Sequence, residues 1–345
     1  MAPSVLSATD APAVAPVDAL LKLGIGYMTS SALNVVVSLG IADRLAGGPR
    51  MVAELAREAG ASEDALYRVL RMLASEGVFE EIAPRAFAQT PLSEPLKTGS
   101  PARELVQWIA DPFHFTVYSE ALQTVRTGRP AGEYVTGLPV FDYIGQTPEL
   151  SDVFNDAMTS VSALVIPAVL EAYDFDGIDT LVDVAGGHGM VLASVLKAYP
   201  MMKGVLFDLP YVVEGARAAM GAPGLRSRCR VEGGDMFKAV PAGGDAYVMK
   251  HIIHDWDDER ALAILCNIRM ALRDGRGKVI LIESVIEPGS QRDPGKFIDY
   301  EMLMLTGGRE RSEAEFARLL AGADFELTRV VRTNAPLSVV EAVAR

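Results

Sequence analysis

A glycine-rich stretch in the second half of the chain has the residue types and spacing of a ligand-binding turn. Leu181 to Val184 is an apolar run with one acid, and it continues into Ala185, Gly186, Gly187, His188 and Gly189. A short apolar run bounded by turn residues is typical of a buried strand in a parallel sheet. A helical pattern follows from Met190 to Tyr199. The sequence therefore predicts a strand, a glycine turn and a helix, the unit that binds nucleotides in doubly wound folds.

The spacing of the glycines distinguishes between nucleotide ligands. The dinucleotide pattern G-x-G-x-x-G requires a glycine where Met190 or Leu192 stands, which disfavours NAD. The stretch instead has an acid, a small residue and two glycines at alternate positions: Asp183, Ala185, Gly187 and Gly189. This pattern resembles the first motif of S-adenosylmethionine-dependent methyltransferases, with Ala185 where they usually have glycine. A turn that binds no ligand is the alternative.

Two further acids follow predicted strands. Asp208, followed by Leu209, lies roughly twenty residues beyond the glycine turn, where a carboxylate can accept both ribose hydroxyls. Asp235 can accept an adenine amino proton, with Met236 and Phe237 flanking the ring. Because doubly wound sheets bind ligands at the carboxyl ends of their strands, we expect these acids near the glycine turn. A solvated acid at 208 and a capped turn at 235 are the alternatives.

The segment from Met249 to Glu259 indicates the chemistry. It contains Lys250 and the triplet His254, Asp255, Trp256 before an acidic helix start. This segment resembles the S-adenosylmethionine-dependent O-methyltransferases of the plant caffeate and bacterial polyketide type, and the likeness covers the whole chain. It implies His254 as the catalytic base, with Asp255 beside it. The predicted cofactor site is Asp183, Ala185, Gly186, Gly187, Gly189, Asp208, Leu209, Asp235, Met236, Phe237 and Lys250.

Histidine at position 254 suits a general base. Methyl transfer to oxygen is an in-line displacement, and a neutral phenol is a poor nucleophile until a base removes its proton. An unperturbed histidine, with a pKa of about 6.5, is largely neutral near pH 7. The resemblance implies that Glu283 and Glu310 flank His254, where a carboxylate fixes the tautomer and stabilises the imidazolium. An ion pair with Arg309 or Arg311 is the alternative for Glu310.

Other polar residues near this motif have simpler explanations. His251 and His188 are predicted to be structural or to flank the cofactor. Asp257 and Asp258 are compatible with a metal site of the catechol type, but acids that open a helix explain them with fewer assumptions. We therefore predict no metal.

Aromatic residues are dense between Pro101 and Ala172, just ahead of the predicted cofactor domain. Any single one can simply fill a core, but their density predicts a pocket for a planar ligand. The segment from Phe154 to Met158 resembles one that places a methionine beside the reacting methyl in the same family, and the resemblance adds acceptor contacts near residue 300. The predicted acceptor site is Trp108, Phe115, Phe154, Asn155, Met158, Trp256, Asp299 and Met302.

Alternating strand and helix patterns after Leu181 predict a Rossmann-like doubly wound parallel sheet. Upstream, Val52–Ala59, Glu63–Glu76 and Val78–Pro91 form a helix, helix and hairpin pattern typical of a winged helix. Residues 41–98 contain nine acidic and seven basic residues, which favours a homodimer interface over DNA binding. The predicted division is a disordered tail at 1–15, a dimerisation domain at 16–98, a helical pocket segment at 99–172 and a methyltransferase domain at 173–345.

Composition excludes several other classes of protein. The net charge of -13 argues against a nucleic-acid surface, and two cysteines without metal-like spacing indicate a reducing, cytoplasmic location. The uncharged run from Leu23 to Ala42 contains glycines and polar residues, so we predict a buried interface helix and no membrane span.

Together these patterns predict a metal-independent enzyme that methylates a hydroxyl of an aromatic or polyketide-like small molecule with S-adenosylmethionine. The alternatives are a same-fold decarboxylase, hydroxylase or C-methyltransferase, and a ligand-sensing winged-helix regulator.

Overall fold

The structure, a computed structural model, describes residues 16–345, so the predicted disordered tail at 1–15 lies outside the described residues. The chain forms two compact units that divide between Pro112 and Phe113. The finer division at residues 98 and 172 stays a prediction.

The first unit contains the predicted helix, helix and hairpin. Its elements are α1 (Pro16–Gly24), α2 (Gly26–Ser38), α3 (Ile41–Arg44), β1 (Arg50–Met51), α4 (Val52–Ala59), α5 (Glu63–Ser75), β2 (Phe79–Ala83), β3 (Ala86–Gln89) and α6 (Pro101–Ile109). The strands pair antiparallel in the order β1-β3-β2. Helix α5 buries Leu66, Leu70 and Leu73, which share one helical face. The predicted winged-helix arrangement is confirmed.

Helix α1 differs from the other helices of this unit because none of its residues is buried. Leu20, Leu21 and Leu23 are 60% to 78% exposed. Two described stretches, Pro16–Ser38 and Pro148–Ala172, are long and apolar enough by length and composition to cross a membrane, a test that core helices also pass.

The second unit begins with five helices: α7 (Pro112–Tyr118), α8 (Ala121–Thr127), α9 (Ala131–Thr136), α10 (Val140–Gln146) and α11 (Pro148–Ala172). Strands and helices then alternate: β4 (Thr180–Val184), α12 (Met190–Ala198), β5 (Lys203–Asp208), α13 (Pro210–Met220), β6 (Cys229–Gly233), β7 (Ala246–Lys250), α14 (Asp258–Ala271) and β8 (Lys278–Glu283). The chain ends with α15 (Pro294–Leu305), α16 (Glu313–Gly322), β9 (Phe325–Arg332) and β10 (Ser338–Ala344).

Seven strands form one sheet in the order β6-β5-β4-β7-β8-β10-β9. The first five are parallel, and β10 pairs antiparallel with β8 and β9. Helices α11, α12 and α13 share one apolar cluster with the sheet, and α14 and α16 share the other. This two-faced burial explains the apolar runs of the central strands and confirms the doubly wound sheet. The parallel register brings the carboxyl ends of β4 to β8 to one edge.

Candidate active site

A cavity of about 560 Å³ lies at this edge of the sheet, entirely within the second unit. It is lined by most of the residues predicted to bind cofactor or acceptor: Asp183, Ala185, Gly186, Gly187, Asp208, Leu209, Asp235, Met236, Phe237, Lys250, Asp255, Trp256, Phe154, Asn155 and Met158. Gly189 does not line it but stands at the start of α12.

The turn after β4 has left-handed backbone at every second residue. The φ angles are 55° at Ala185, 58° at Gly187 and 80° at Gly189. Glycine adopts this region without strain, which explains the spacing of the sequence pattern. Ala185 adopts it at a cost of about 1–2 kcal/mol. Gly186 is required for another reason, since a Cβ there would lie 2.6 Å from the Asp183 side chain.

Two acids hold this turn and the helix that follows it. The buried Asp183 carboxylate accepts a hydrogen bond from the Leu192 N–H (3.3 Å) through Oδ2, while its Oδ1 has no partner among the described residues. Burial raises the pKa of Asp183 to about 7. Asp208 accepts from the Gly187 N–H (2.7 Å) and the Leu209 N–H (2.6 Å). Each Asp208 oxygen keeps a second lone pair for a ligand hydroxyl.

The third predicted cofactor acid is also positioned by local backbone. Asp235 accepts from the Phe237 N–H at 2.9 Å, and the loop after β6 that contains both residues lines the cavity. A nucleoside fits this donor and acceptor set, because it needs carboxylates for its hydroxyl and amino groups and apolar side chains for its ring. The buried, unpartnered Asp183 Oδ1 supports the same fit.

Aromatic rings form a continuous wall along the cavity. Phe237 meets Trp256 edge to face at 4.8 Å, Trp256 lies 6.0 Å from Phe141, and Phe141 lies 6.1 Å from Phe154. Arg260 places its guanidinium 4.6 Å above Phe237 and 4.4 Å above Trp256. Such a wall binds planar ligands and excludes water.

His254 lies directly behind this lining, in a loop between β7 and α14. It is 5% exposed, and its Nδ1 lies 2.7 Å from Glu310 Oε1 and 3.9 Å from Glu283 Oε2. Its Nε2 lies 3.6 Å from Asp255 Oδ1. Glu310 therefore orients the ring directly, and the ion pair considered for it with Arg309 or Arg311 is not formed. Glu283 mainly holds the loop, because its Oε1 accepts from the N–H groups of Ile252 (3.0 Å) and Ile253 (2.9 Å).

The segment from Gly308 to Arg311 clamps the His254 loop. The Arg309 N–H donates to the His254 carbonyl at 2.8 Å, and a Cβ on Gly308 would lie 2.0 Å from the same oxygen. Arg311, only 1% exposed, donates to the carbonyls of Ile253 (3.0 Å) and Trp256 (2.9 Å) and pairs with Asp258. This role of Arg311 could not be predicted, since no local sequence pattern marks a buried arginine.

The charged groups around His254 shift one another's pKa values. Burial lowers the pKa of His254, but the carboxylates of Asp255, Glu283 and Glu310 outweigh burial and raise it to about 10. Burial raises the pKa of Asp255 to about 7 and that of Glu283 to about 6. Burial lowers the pKa of Lys250 to about 8 against the opposing effect of nearby acids. The cluster therefore favours a protonated imidazole.

His251, predicted to be structural or to flank the cofactor, lines the cavity and stacks on His254. The ring centroids are 4.7 Å apart at 15°, and His251 has a φ of 54°. Burial, Lys250 and His254 hold the pKa of His251 well below its usual value, so it is neutral. Within residues 16–345, His251, His254 and Glu283 form the one group whose ligand atoms lie within 4.8 Å of one another, as a metal site would require.

The acids at 257 and 258 open α14, as predicted. Asp257 caps the helix by accepting from the Arg260 N–H at 2.8 Å, and Asp258 pairs with Arg311.

Four residues predicted to contact the acceptor do not line the cavity. Trp108 is buried in the first unit, on α6, and Phe115 lies on α7. Asp299 accepts from the Glu310 N–H at 2.8 Å, so it positions the partner of His254. Met302 is 7% exposed on α15. Acceptor contacts by these four side chains stay a prediction.

Comparisons with known proteins give a consistent result. Residues 118–326 match the O-methyltransferase domain, and residues 21–98 match the O-methyltransferase dimerisation domain. The chain is 39% identical to phenazine O-methyltransferase PhzM of Lysobacter antibioticus, over 94% of this chain and 95% of that protein. It is also 32% identical to 8-amino-8-demethylriboflavin N,N-dimethyltransferase of Streptomyces davaonensis, and the match covers 93% of this chain and 94% of that protein.

One similar solved structure contains both S-adenosylmethionine and an aromatic compound. The neocarzinostatin O-methyltransferase NcsB1, in complex with S-adenosylmethionine and 2-hydroxy-5-methyl naphthoic acid, has a TM-score of 0.83 and 31% identity, covering 96% of this chain and all of that one.

Proposed function

The chain belongs to the S-adenosylmethionine-dependent O-methyltransferase family, and on that premise we propose that it methylates a hydroxyl of an aromatic or polyketide-like small molecule, with His254 as general base and without a metal. The observation that carries the proposal is the 2.7 Å contact between His254 Nδ1 and Glu310 beside an aromatic-walled cavity. This contact leaves Nε2 as the nitrogen that can accept a proton from the acceptor.

Different residues of the cavity bind the cofactor and the acceptor. The turn at residues 185–187, with Asp183, Asp208, Asp235 and Lys250, holds the cofactor, which supplies an electrophilic methyl group when bound. The aromatic wall from Trp256 through Phe141 to Phe154 binds the planar acceptor and keeps water out. Asn155 and Met158, on α11, complete the acceptor side.

His254 removes the hydroxyl proton at Nε2, and Glu310 stabilises the imidazolium that results. A pKa of about 10 makes His254 a strong base whose neutral form is scarce at pH 7. It also matches the pKa of a phenol, which is about 10, so proton transfer between them is nearly balanced. Turnover should therefore rise with pH.

Metal independence is supported by the geometry of His251 and His254. An imidazole binds a metal through a lone pair in the plane of its ring. Two rings stacked at 15° do not direct their lone pairs to one ion without turning, and His254 Nδ1 already meets Glu310. Turnover that is unchanged after dialysis against EDTA would support this part of the proposal, and loss restored by a divalent cation would refute it.

The acceptor is unidentified, so the first experiment is a panel of phenols, flavonoids, phenazines and anthracyclines with S-adenosylmethionine. We expect formation of S-adenosylhomocysteine together with a product that has gained one methyl on oxygen. An N-methylated product would place the chain with its dimethyltransferase relative, and decarboxylation or hydroxylation without methyl gain would overturn the proposal.

We also propose a homodimer in the cytoplasm. The exposed leucines of α1 lie within the dimerisation-domain region or just ahead of it, and burying them against a second copy would remove them from water. Both cysteines are free thiols. A dimer mass by light scattering and recovery of the native protein in the cytosolic fraction are the expected results.

A further inference from the structure

The loop after β6, residues 234–237, is predicted to contact the adenine ring, and it consists of turns and irregular backbone. Its start is attached to β5, because the Gly234 N–H donates to the Asp208 carbonyl at 2.9 Å. A Cβ on Gly234 would lie 2.5 Å from the Phe207 ring, so the two backbones approach closely. This attachment fixes the first residue of the loop, and the positions of Met236 and Phe237 depend on further contacts.

Helix α14 supplies one of these contacts through Asn267. The buried residues of α14 are apolar, and asparagine is disfavoured in a helix interior because its side chain competes for backbone hydrogen bonds. The Asn267 side-chain amide donates to the Met236 carbonyl, thirty-one residues earlier in the chain, at 2.8 Å. Met236 and Phe237 also pack against the apolar cluster that contains α14. The amide therefore adds a directional contact with the loop to this apolar packing.

Arg260, in the first turn of α14, contacts the next residue of the loop. Its exposed guanidinium lies 4.6 Å from the centroid of Phe237 and 4.4 Å from that of Trp256, and these two rings meet edge to face. A cation over both rings favours this arrangement, because rotation of either ring would lose the cation–π contact. Asn267 and Arg260 thus hold consecutive residues of the loop, Met236 by its backbone and Phe237 by its ring.

We propose that Asn267 and Arg260 are positioning residues for the adenine subsite at residues 235–237, and that they set cofactor affinity through Met236 and Phe237. This inference rests on the proposed function, because it takes residues 235–237 as the adenine contact. A ligand ring gains stacking and hydrogen bonds only when the side chains that contact it are held in the correct geometry. Loss of either support should therefore weaken binding of the base and leave binding of the ribose and methionine parts unchanged.

The test uses one ligand with the base and one without it. S-ribosylhomocysteine keeps the ribose and homocysteine parts of S-adenosylhomocysteine and lacks the adenine. Dissociation constants are measured without an acceptor, by calorimetry and, for the weaker ligand, by displacement of S-adenosylhomocysteine. Asn267→Leu should weaken binding of S-adenosylhomocysteine by about threefold to tenfold, the usual effect of one hydrogen bond, and leave S-ribosylhomocysteine unchanged. Equal weakening of both ligands would indicate a general structural role and overturn the inference.

Further variants keep the test decisive. Asn267→Asp has nearly the original shape but places a carboxylate oxygen beside the Met236 carbonyl, so it should act like Asn267→Leu even where the leucine variant does not fold. Arg260→Gln should weaken S-adenosylhomocysteine by about twofold to fivefold, and Arg260→Lys should retain part of that affinity. Arg318→Gln, at an exposed arginine on α16 outside the cavity, is the matched control and should change neither constant. Unchanged binding in Arg260→Gln would refute the assignment of Arg260.

Binding without turnover separates this inference from the proposed function. Losses confined to the ligand with the base, without methylation of any acceptor, would refute the proposed function and leave the inference standing. Methylation together with equal losses for the two ligands would do the reverse. Where an acceptor is methylated, Asn267→Leu should raise KM for S-adenosylmethionine and leave kcat unchanged, whereas a general disturbance of α14 would lower kcat through the adjoining His254 loop.

Discussion

The two halves of the site are positioned in different ways. On the cofactor side, the turn at 185–189 is shaped by its own backbone, with left-handed residues at alternate positions and an acid from the same strand. On the base side, His254 is held by Glu310, Arg309 and Arg311, which lie more than fifty residues further along the chain. A local turn, completed by acids at the ends of neighbouring strands, thus builds the binding half, whereas side chains more than fifty residues away position the base. Changes on one side should alter affinity, and changes on the other should alter rate.

The largest effect should come from His254→Ala. Removing the base should lower kcat by roughly a hundred to ten-thousand fold, the usual contribution of general base catalysis. Cofactor affinity, measured by calorimetry, should stay nearly the same because the turn does not depend on this ring. Turnover like that of the unmodified enzyme would exclude His254 as the base.

Asp208→Asn should have the opposite effect, with weaker cofactor binding and a nearly unchanged kcat. Loss of a charged acceptor of hydrogen bonds costs about 1.5–3 kcal/mol, which weakens cofactor binding by roughly ten to a hundred and fifty fold. At saturating cofactor, kcat should largely recover. A fall in kcat that persists at saturation would mean that the two halves of the site are not independent.

Glu310→Gln tests whether the Glu310 carboxylate raises the pKa of His254, and the measurement is the pH dependence of kcat/KM. In the unmodified enzyme, kcat/KM should rise with pH as His254 loses its proton near its pKa of about 10. Removing one of the three carboxylates lowers that pKa, so the rising limb should move to lower pH, by about one unit for a loss of about 1.4 kcal/mol. Glu313→Gln, an exposed acid three residues away, should leave the profile unchanged. An unshifted limb in Glu310→Gln would mean that another group titrates.

The smallest effect is expected from Ala185→Gly. Relief of left-handed strain, about 1–2 kcal/mol, outweighs the entropy cost of glycine, about 0.5–1 kcal/mol, so the free energy of unfolding should rise by up to about 1.5 kcal/mol. Cofactor binding should tighten if the methyl group crowds the ligand. Ala193→Gly in α12 is the control, and it should destabilise the protein by about 1 kcal/mol. Destabilisation by both changes would show that Ala185 is not strained.

Most elements of the second unit could be predicted because their patterns are local. The predicted strand Leu181–Val184 agrees with β4 to within one residue, and the predicted helix Met190–Tyr199 agrees with α12 to within one residue. Buried parallel strands and amphipathic helices leave distinct apolar spacings, which need no knowledge of the tertiary structure. The acids at the strand ends could be assigned to one site, because the carboxyl ends of parallel strands meet at one edge of the sheet.

The roles of long-range partners could not be predicted in the same way. The sequence left Glu310 a choice between His254 and the flanking arginines, and only the packing of the 308–311 segment against the His254 loop decided it. The same packing buries Arg311 and turns Asp299 toward the Glu310 backbone, whereas Trp108 is buried on a helix of the other unit.

The sequence by itself therefore determined the fold class, the glycine turn and the residues at the strand ends, because these follow from periodicity and short-range spacing. The tertiary structure decided which carboxylate holds His254, which arginine clamps its loop and which acids face the cavity. Those choices depend on distances between segments far apart in the chain, and such distances leave no local pattern to read.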